Sequence, residues 1–185
     1  MKRLMRWLSA AAIFTFALAP AGADQNDPRL DGLFLRLKSA RSQAEARVIE
    51  EAVWRIWAVS GNEAADRQMA RGVLAMHGGD HAEALAAFDR IVKIAPGFAE
   101  GWNKRATVHY LMGNHAASIH DIGKTLALEP RHFGALSGLG LVNLALGNEK
   151  GALEAFEAAL EIQPHLPGAN THIRALRDKV RGKRI

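Results

Sequence analysis

The feature that most constrains this chain is a period of 34 residues. Pro96, Pro130 and Pro164 stand 34 apart, and so do Gly79, Gly113 and Gly147. Ala84, Ser118 and Ala152 hold the same register, with Phe88, Ile122 and Phe156 four positions on and each proline eight beyond that. An amphipathic segment flanks every glycine on both sides, which predicts a helix, a tight turn and a second helix, closed by proline. Glycine at the turn can take the left-handed conformation, a small residue lets two helix backbones approach, and the aromatic fills the space beside it. A unit of this kind cannot bury its apolar face alone. The period therefore predicts a stacked, all-α array rather than a chain with a sheet.

The pattern resembles the tetratricopeptide repeat (TPR), which runs W-x2-L-G-x2-Y, then A-x3-F, then P. The second helices carry the match best, in Ala84, Phe88 and Pro96 and again in Ala152, Phe156 and Pro164. In the first helices Trp102 matches the tryptophan of unit two, Leu139-Gly140 the Leu-Gly pair of unit three, and Gly72 the glycine of unit one. Arg105, Ala106 and His109 in unit two, and Leu136 and Asn143 in unit three, depart from it. The units are 65–98, 99–132 and 133–166. The resemblance implies a right-handed α-solenoid of helix-turn-helix units with a concave face built from the first helix of each.

Capping signals agree with these boundaries. Asp80 with Glu83 reads as a capping box, and Asn114 and Asn148 as caps of the next two second helices. Upstream, Asp27-Pro28 opens one helix and Ser42 to Glu45 a second, with Val48, Ile49, Ala52, Val53, Ile56 and Trp57 at helical spacing. Residues 27–61 are thus expected to form a helical hairpin, a degenerate repeat capping the N-terminal end. Residues 167–185 are expected to be a capping helix with a basic tail, since Ile173, Leu176 and Val180 face many arginines.

The first 23 residues read as a secretory signal peptide. Lys2, Arg3 and Arg6 precede an apolar run from Trp7 to Leu18, and Ala21-Gly22-Ala23 offers a small-x-small cleavage site. Twelve residues fall short of the roughly 20 that span a bilayer. Cleavage after Ala23 would send the chain to the periplasm or outside the cell, which suits a sequence with no cysteine.

Charge narrows the partners. Beyond residue 23 the chain carries 21 basic and 19 acidic residues, and six of the basic ones lie in the last twelve positions. The high isoelectric point describes the two ends and gives no support to a nucleic-acid partner. The tail could touch an anionic membrane surface, or simply complement a helix C-terminus.

No catalytic constellation is present. The absence of cysteine excludes thiol nucleophiles, thiolate metal sites and disulfides. His77 and His81 have i,i+4 spacing but straddle Gly78-Gly79, and His109, His115 and His120 also spread across a turn, so no metal and no cofactor is expected. Gly134 and Gly138 read as close-packing positions, and no strand precedes them to make a phosphate loop. Ser118 and Ser137 lack a nucleophile elbow.

What remains is the concave face. The resemblance places Met69, Val73, Met76 and His77 there from unit one, Asn103, Thr107, Tyr110 and Leu111 from unit two, and Leu141 and Leu144 from unit three. Relatives that clamp a C-terminal carboxylate use lysine, arginine and asparagine at positions that Met69, Val73 and Leu141 occupy here, so that ligand is not expected. The implied function is a non-enzymatic scaffold taking a protein or peptide segment on this mostly apolar surface. The alternative is a structural or self-assembling envelope component. In that case Trp54 and Trp57 of the hairpin, or another copy of the chain, fill the groove.

Overall fold

Each repeat turns on a left-handed glycine: Gly79, Gly113 and Gly147 have φ of 78°, 75° and 72°. The computed structural model describes residues 24–182, so the expected signal peptide and the last three residues of the basic tail lie outside the described residues. Among the described residues there are nine helices and no strand. They are α1 (Arg29–Lys38), α2 (Gln43–Trp57), α3 (Glu63–His77), α4 (His81–Ile94), α5 (Ala99–Leu111), α6 (His115–Leu128), α7 (Phe133–Ala145), α8 (Glu149–Ile162) and α9 (Ala169–Gly182). The pairs α3–α4, α5–α6 and α7–α8 are the three repeats, each packed on the next, with α9 closing against α8. None of these helices is long and apolar enough to cross a membrane.

Within a repeat, the two helices meet where one residue is small and its partner large. A Cβ added to Gly72 would lie 2.5 Å from the Phe88 ring, and one added to Gly140 2.6 Å from Phe156. Repeat two solves the same contact differently, with buried Ala106 in place of glycine and buried Ile122 in place of phenylalanine. The exchange of volume between partners keeps the helix spacing within reach of close packing.

Caps largely follow the sequence. The Asp80 side chain accepts from Glu83 N–H at 3.0 Å, and Asn148 from Gly151 N–H at 3.1 Å. Asn114 makes no side-chain cap bond. The capping boxes are not reciprocal. Glu83 turns to pair with Arg71 on α3, and Glu45 accepts from Arg41 N–H rather than from Ser42. At the C-terminal end Pro167-Gly168 forms a turn, and α9 begins at Ala169. Ile173 and Leu176 are buried, His172 stacks on Phe156, and Arg177 and Lys179 pair with Glu157 and Glu149 of α8.

The α1–α2 hairpin forms as expected, with Asp27 accepting from Arg29 N–H and Ser42 from Glu45 N–H. It does not cap the first repeat. Instead it lies across the turns between repeats and is gripped by each of them. Gln25 bonds Gly97 O at 2.6 Å and Ala99 N–H at 3.2 Å. Arg131 reaches Asp31 at 2.7 Å, and His165 meets the Ala40 carbonyl at 2.9 Å. Gly97, Arg131 and His165 are themselves 34 residues apart, so the strap is held at equivalent positions of successive repeats. Leu30, Phe34, Leu37, Ile49, Val53 and Trp57 share one buried cluster with Phe133, Phe156 and Leu166 of the third repeat and the turn after it. The physical reason is that this end offers an aromatic surface able to receive Trp54 and Trp57. As a consequence the first repeat has no helical neighbour on its N-terminal side: Leu74 is 76% exposed, whereas Val108 and Val142 at the same register are fully buried.

Candidate functional site

The hairpin and the solenoid enclose a cavity of about 230 Å³ whose walls include Trp54, Asn103, Thr107, Tyr110, Ser137 and Leu141. Helix α2 supplies one wall, α5 and α7, the first helices of repeats two and three, supply most of the rest, and Ser118 and Ile122 of α6 and Leu166 complete it. Trp54 is set by contacts on several sides. Its Nε1 donates to Glu50 at 3.2 Å, its ring meets Trp57 and Phe133 edge-on at 5.3 Å, and Lys104 Nζ lies 5.6 Å from its centroid. Gly134 makes room for it, since a Cβ there would stand 2.7 Å from the indole.

Beneath the cavity is a buried polar hub. The Glu100 carboxylate accepts from Asn103 Nδ2 at 2.9 Å, pairs with Lys104 Nζ at 3.1 Å and meets His132 Nε2 at 2.9 Å. The other ring nitrogen of His132, Nδ1, accepts from Ala135 N–H at 3.0 Å and so caps α7. That bond puts the proton on Nε2, which donates to Glu100. Burial works against ionising Glu100, but the Lys104 ammonium and then the His132 bond outweigh it and hold the carboxyl below its ordinary value. The hub is satisfied, so it fixes the α5–α7 spacing rather than presenting a reactive group. Arg105 does similar work nearby, joining Asp89 of repeat one to buried Asp121 of repeat two at 2.9 and 2.7 Å.

Of the ten residues the sequence placed in the groove, the structure brings four to this cavity: Asn103, Thr107, Tyr110 and Leu141. Thr107 donates to the Asn103 carbonyl at 3.0 Å, and Tyr110 packs beside His115. Met69 is a core residue, 7% exposed among Ala65, Phe88 and Ile91, because it fills the space beside the Phe88 ring. Val73 and Met76 are half-buried against the same cluster, and Leu144 against the cluster that joins the hairpin to repeat three. His77 and Leu111 are exposed and do not line the cavity. Trp54 and Glu50 are walls that the groove pattern does not identify, since they come from outside the repeats. The helical spacing around Trp57 marks this helix as packed on one face but not what it packs on. Among the described residues no group of three or more His, Asp or Glu side chains is arranged to hold a metal.

Comparison with known proteins agrees with this architecture. A family model described as tetratricopeptide repeat matches residues 37–97 and 103–167. A TPR repeat-containing protein of Rhizobium etli is 36% identical over 156 residues, covering 84% of this chain and 76% of that protein. The Saccharomyces cerevisiae small glutamine-rich tetratricopeptide repeat-containing protein 2 is 27% identical over 93 residues, 50% of this chain but only 27% of its own length. Among solved structures, the Sgt2 TPR domain from Aspergillus fumigatus superposes with a TM-score of 0.63 at 22% identity, over 66% of this chain and 83% of that one. The first TPR domain of Spaghetti (RPAP3) bound to an HSP90 peptide gives 0.62 at 20% identity, over 64% and 94%. The matched repeats, the 36% identity to the Rhizobium protein and the helix-turn-helix array together place this chain in the tetratricopeptide repeat family.

Proposed function

We propose that this protein is a non-enzymatic scaffold that takes a polypeptide segment in the cavity between Trp54 and the first helices of repeats two and three. The observation that carries the reading is the lining itself. Trp54, Tyr110 and Leu141 supply apolar contact, while Asn103, Thr107 and Ser137 stand among them as short polar groups able to bond a peptide backbone. That a TPR domain of the same fold is described as bound to an HSP90 peptide supports a polypeptide as the partner. The cavity is small, so one side chain and its flanking backbone are what it accommodates.

The test is a paired substitution. Tyr110→Ala with Leu141→Asp should abolish capture of the partner while leaving helical content unchanged, and intact capture by that variant would remove the site. The hairpin supports a second reading, in which it already fills most of the face and the protein serves as a rigid envelope component. Under that reading mass measured at rising concentration would show assembly, and a partner-free groove. The exported destination, with cleavage after Ala23, remains part of the proposal. N-terminal sequencing of the protein isolated from its native cells tests it, and a chain beginning at Asp24 supports it.

A further inference from the structure

The polar walls of the cavity at Trp54 have already used their donors. Asn103, 7% exposed, gives its Nδ2 to the Glu100 carboxylate, which can only accept, and this fixes the amide with Oδ1 unpartnered. Thr107 donates its hydroxyl to the Asn103 carbonyl at 3.0 Å, and buried Ser118 donates its own to the Ala106 carbonyl at 2.9 Å. Each of these oxygens can therefore only accept a further bond. Whatever enters must bring donors.

The one charged residue in the lining is Glu50. Its oxygens accept from Trp54 Nε1 at 3.2 Å and from the buried Gln163 Nε2, at the C-terminus of α8, at 2.9 Å. Both donors are neutral, so they orient the carboxylate and leave its charge unmatched. Among the described residues two other partly buried carboxylates, Asp24 and Asp66, also lack a basic partner, but each side chain accepts only from a residue within six positions, and neither lines the cavity. Lys104 lies over the Trp54 ring, yet it is paired with Glu100 at 3.1 Å and is not part of the lining. The cavity thus combines apolar walls, acceptor oxygens and one fixed, uncompensated negative charge.

We infer that the side chain this cavity takes is a lysine, carried by the polypeptide partner. The inference rests on the scaffold reading above and specifies the chemistry of its ligand. The four-carbon stem lies on Trp54, Tyr110 and Leu141, and the ammonium brings the charge and the donors for which Glu50 and the acceptor walls have no partner. A volume of about 230 Å³ holds one such side chain. Both Glu50 oxygens already accept one bond, which suits the single-point contact of an ammonium better than the paired contact of a guanidinium. An acidic side chain is disfavoured on the same ground, since it would meet Glu50 with no cation in the lining.

Nuclear magnetic resonance titration of the purified, isotope-labelled protein tests it, with the heptapeptide Gly-Ser-Ala-Lys-Ala-Ser-Gly and versions carrying norleucine, arginine or glutamate in place of the lysine. Norleucine keeps the four-carbon stem and removes the ammonium. The lysine peptide should bind saturably with Kd below about 1 mM, shift the Trp54 indole N–H resonance through Glu50, and bind more weakly as salt rises. The norleucine peptide should bind at least about tenfold more weakly, the arginine peptide more weakly than lysine, and the glutamate peptide not at all. Glu50→Gln should bring the lysine peptide down to the norleucine level, whereas Glu51→Gln, exposed on the same helix, should not alter binding. Should Glu50→Gln lose its fold, the comparison of peptides on the wild type decides alone. Equal binding of the lysine and norleucine peptides would overturn the inference and leave the scaffold reading standing, whereas binding of none of the four would overturn both. Arginine or glutamate binding as tightly as lysine, or lysine binding unchanged in a folded Glu50→Gln, would overturn the inference alone.

Discussion

The Trp57 indole lies flat on the His132 imidazole, with ring centroids 4.2 Å apart and planes 7° from parallel. This contact joins residues 75 positions apart and connects the N-terminal hairpin to the turn before repeat three. Because His132 also caps α7 and donates to Glu100, one side chain ties the strap, a helix start and the buried hub together.

Replacing it should be expensive. His132→Leu removes the cap and one partner of a buried carboxylate, and the expected loss is about 2–4 kcal/mol in urea unfolding. His132→Asn can still cap, so it should recover about 1 kcal/mol of that loss. Equal stability of the wild type and His132→Leu would show that the strap and hub do not depend on this ring.

Glu100 gives the hub a pH dependence whose sign can be stated. Its carboxyl is held below the ordinary value of 4.5, so its contribution is present above that value and is lost as pH falls through the lower folded value. Stability should therefore fall more steeply below pH 4.5 in the wild type than in Glu100→Gln, which no longer titrates there. Parallel acid profiles of the two proteins, measured by urea unfolding, would contradict this.

The exchange of volume between repeats can be moved from one to another. Gly140→Ala alone should cost about 1–3 kcal/mol, because its Cβ would meet Phe156 at 2.6 Å. Adding Phe156→Ile reproduces the Ala106 and Ile122 pair of repeat two. The double-mutant cycle should then show a favourable coupling of about 0.5–3 kcal/mol. Strictly additive losses would mean that the two positions do not share one packing constraint.

Gly113 separates backbone from packing. It has φ of 75°, and a Cβ there would meet nothing within 4 Å. Gly113→Ala should thus cost about 1–2 kcal/mol from conformation alone, read as a lower unfolding midpoint at unchanged slope. No change would mean that the turn tolerates an ordinary residue.

The repeats were legible because their determinants are local and recur. A glycine that must turn, a small residue beside an aromatic and a closing proline each report on neighbours within one 34-residue unit. Asn114 shows the limit of such rules, since it occupies a cap position in register with Asn148 and makes no cap bond. His132 shows the converse, capping α7 with a side chain that ordinary cap preferences pass over. The position of the hairpin was not legible. Helical spacing marks Val53 and Trp57 for burial, but their partner surface is built by Phe133 and Phe156, far along the chain and assembled only after the repeats stack. For the same reason Met69 looked like a groove residue. Its helix face is known from the sequence, but whether it faces a cavity or Phe88 depends on packing.

The most direct test of the scaffold reading is photo-crosslinking from inside the cavity, with a benzophenone side chain at Thr107, in cells expressing the full chain. The account predicts adducts that join position 107 to a polypeptide other than the chain itself and that Leu141→Asp abolishes. Adducts only within the chain would contradict it and leave the hairpin as the occupant of that face, and partner adducts that persist in Leu141→Asp would contradict the site.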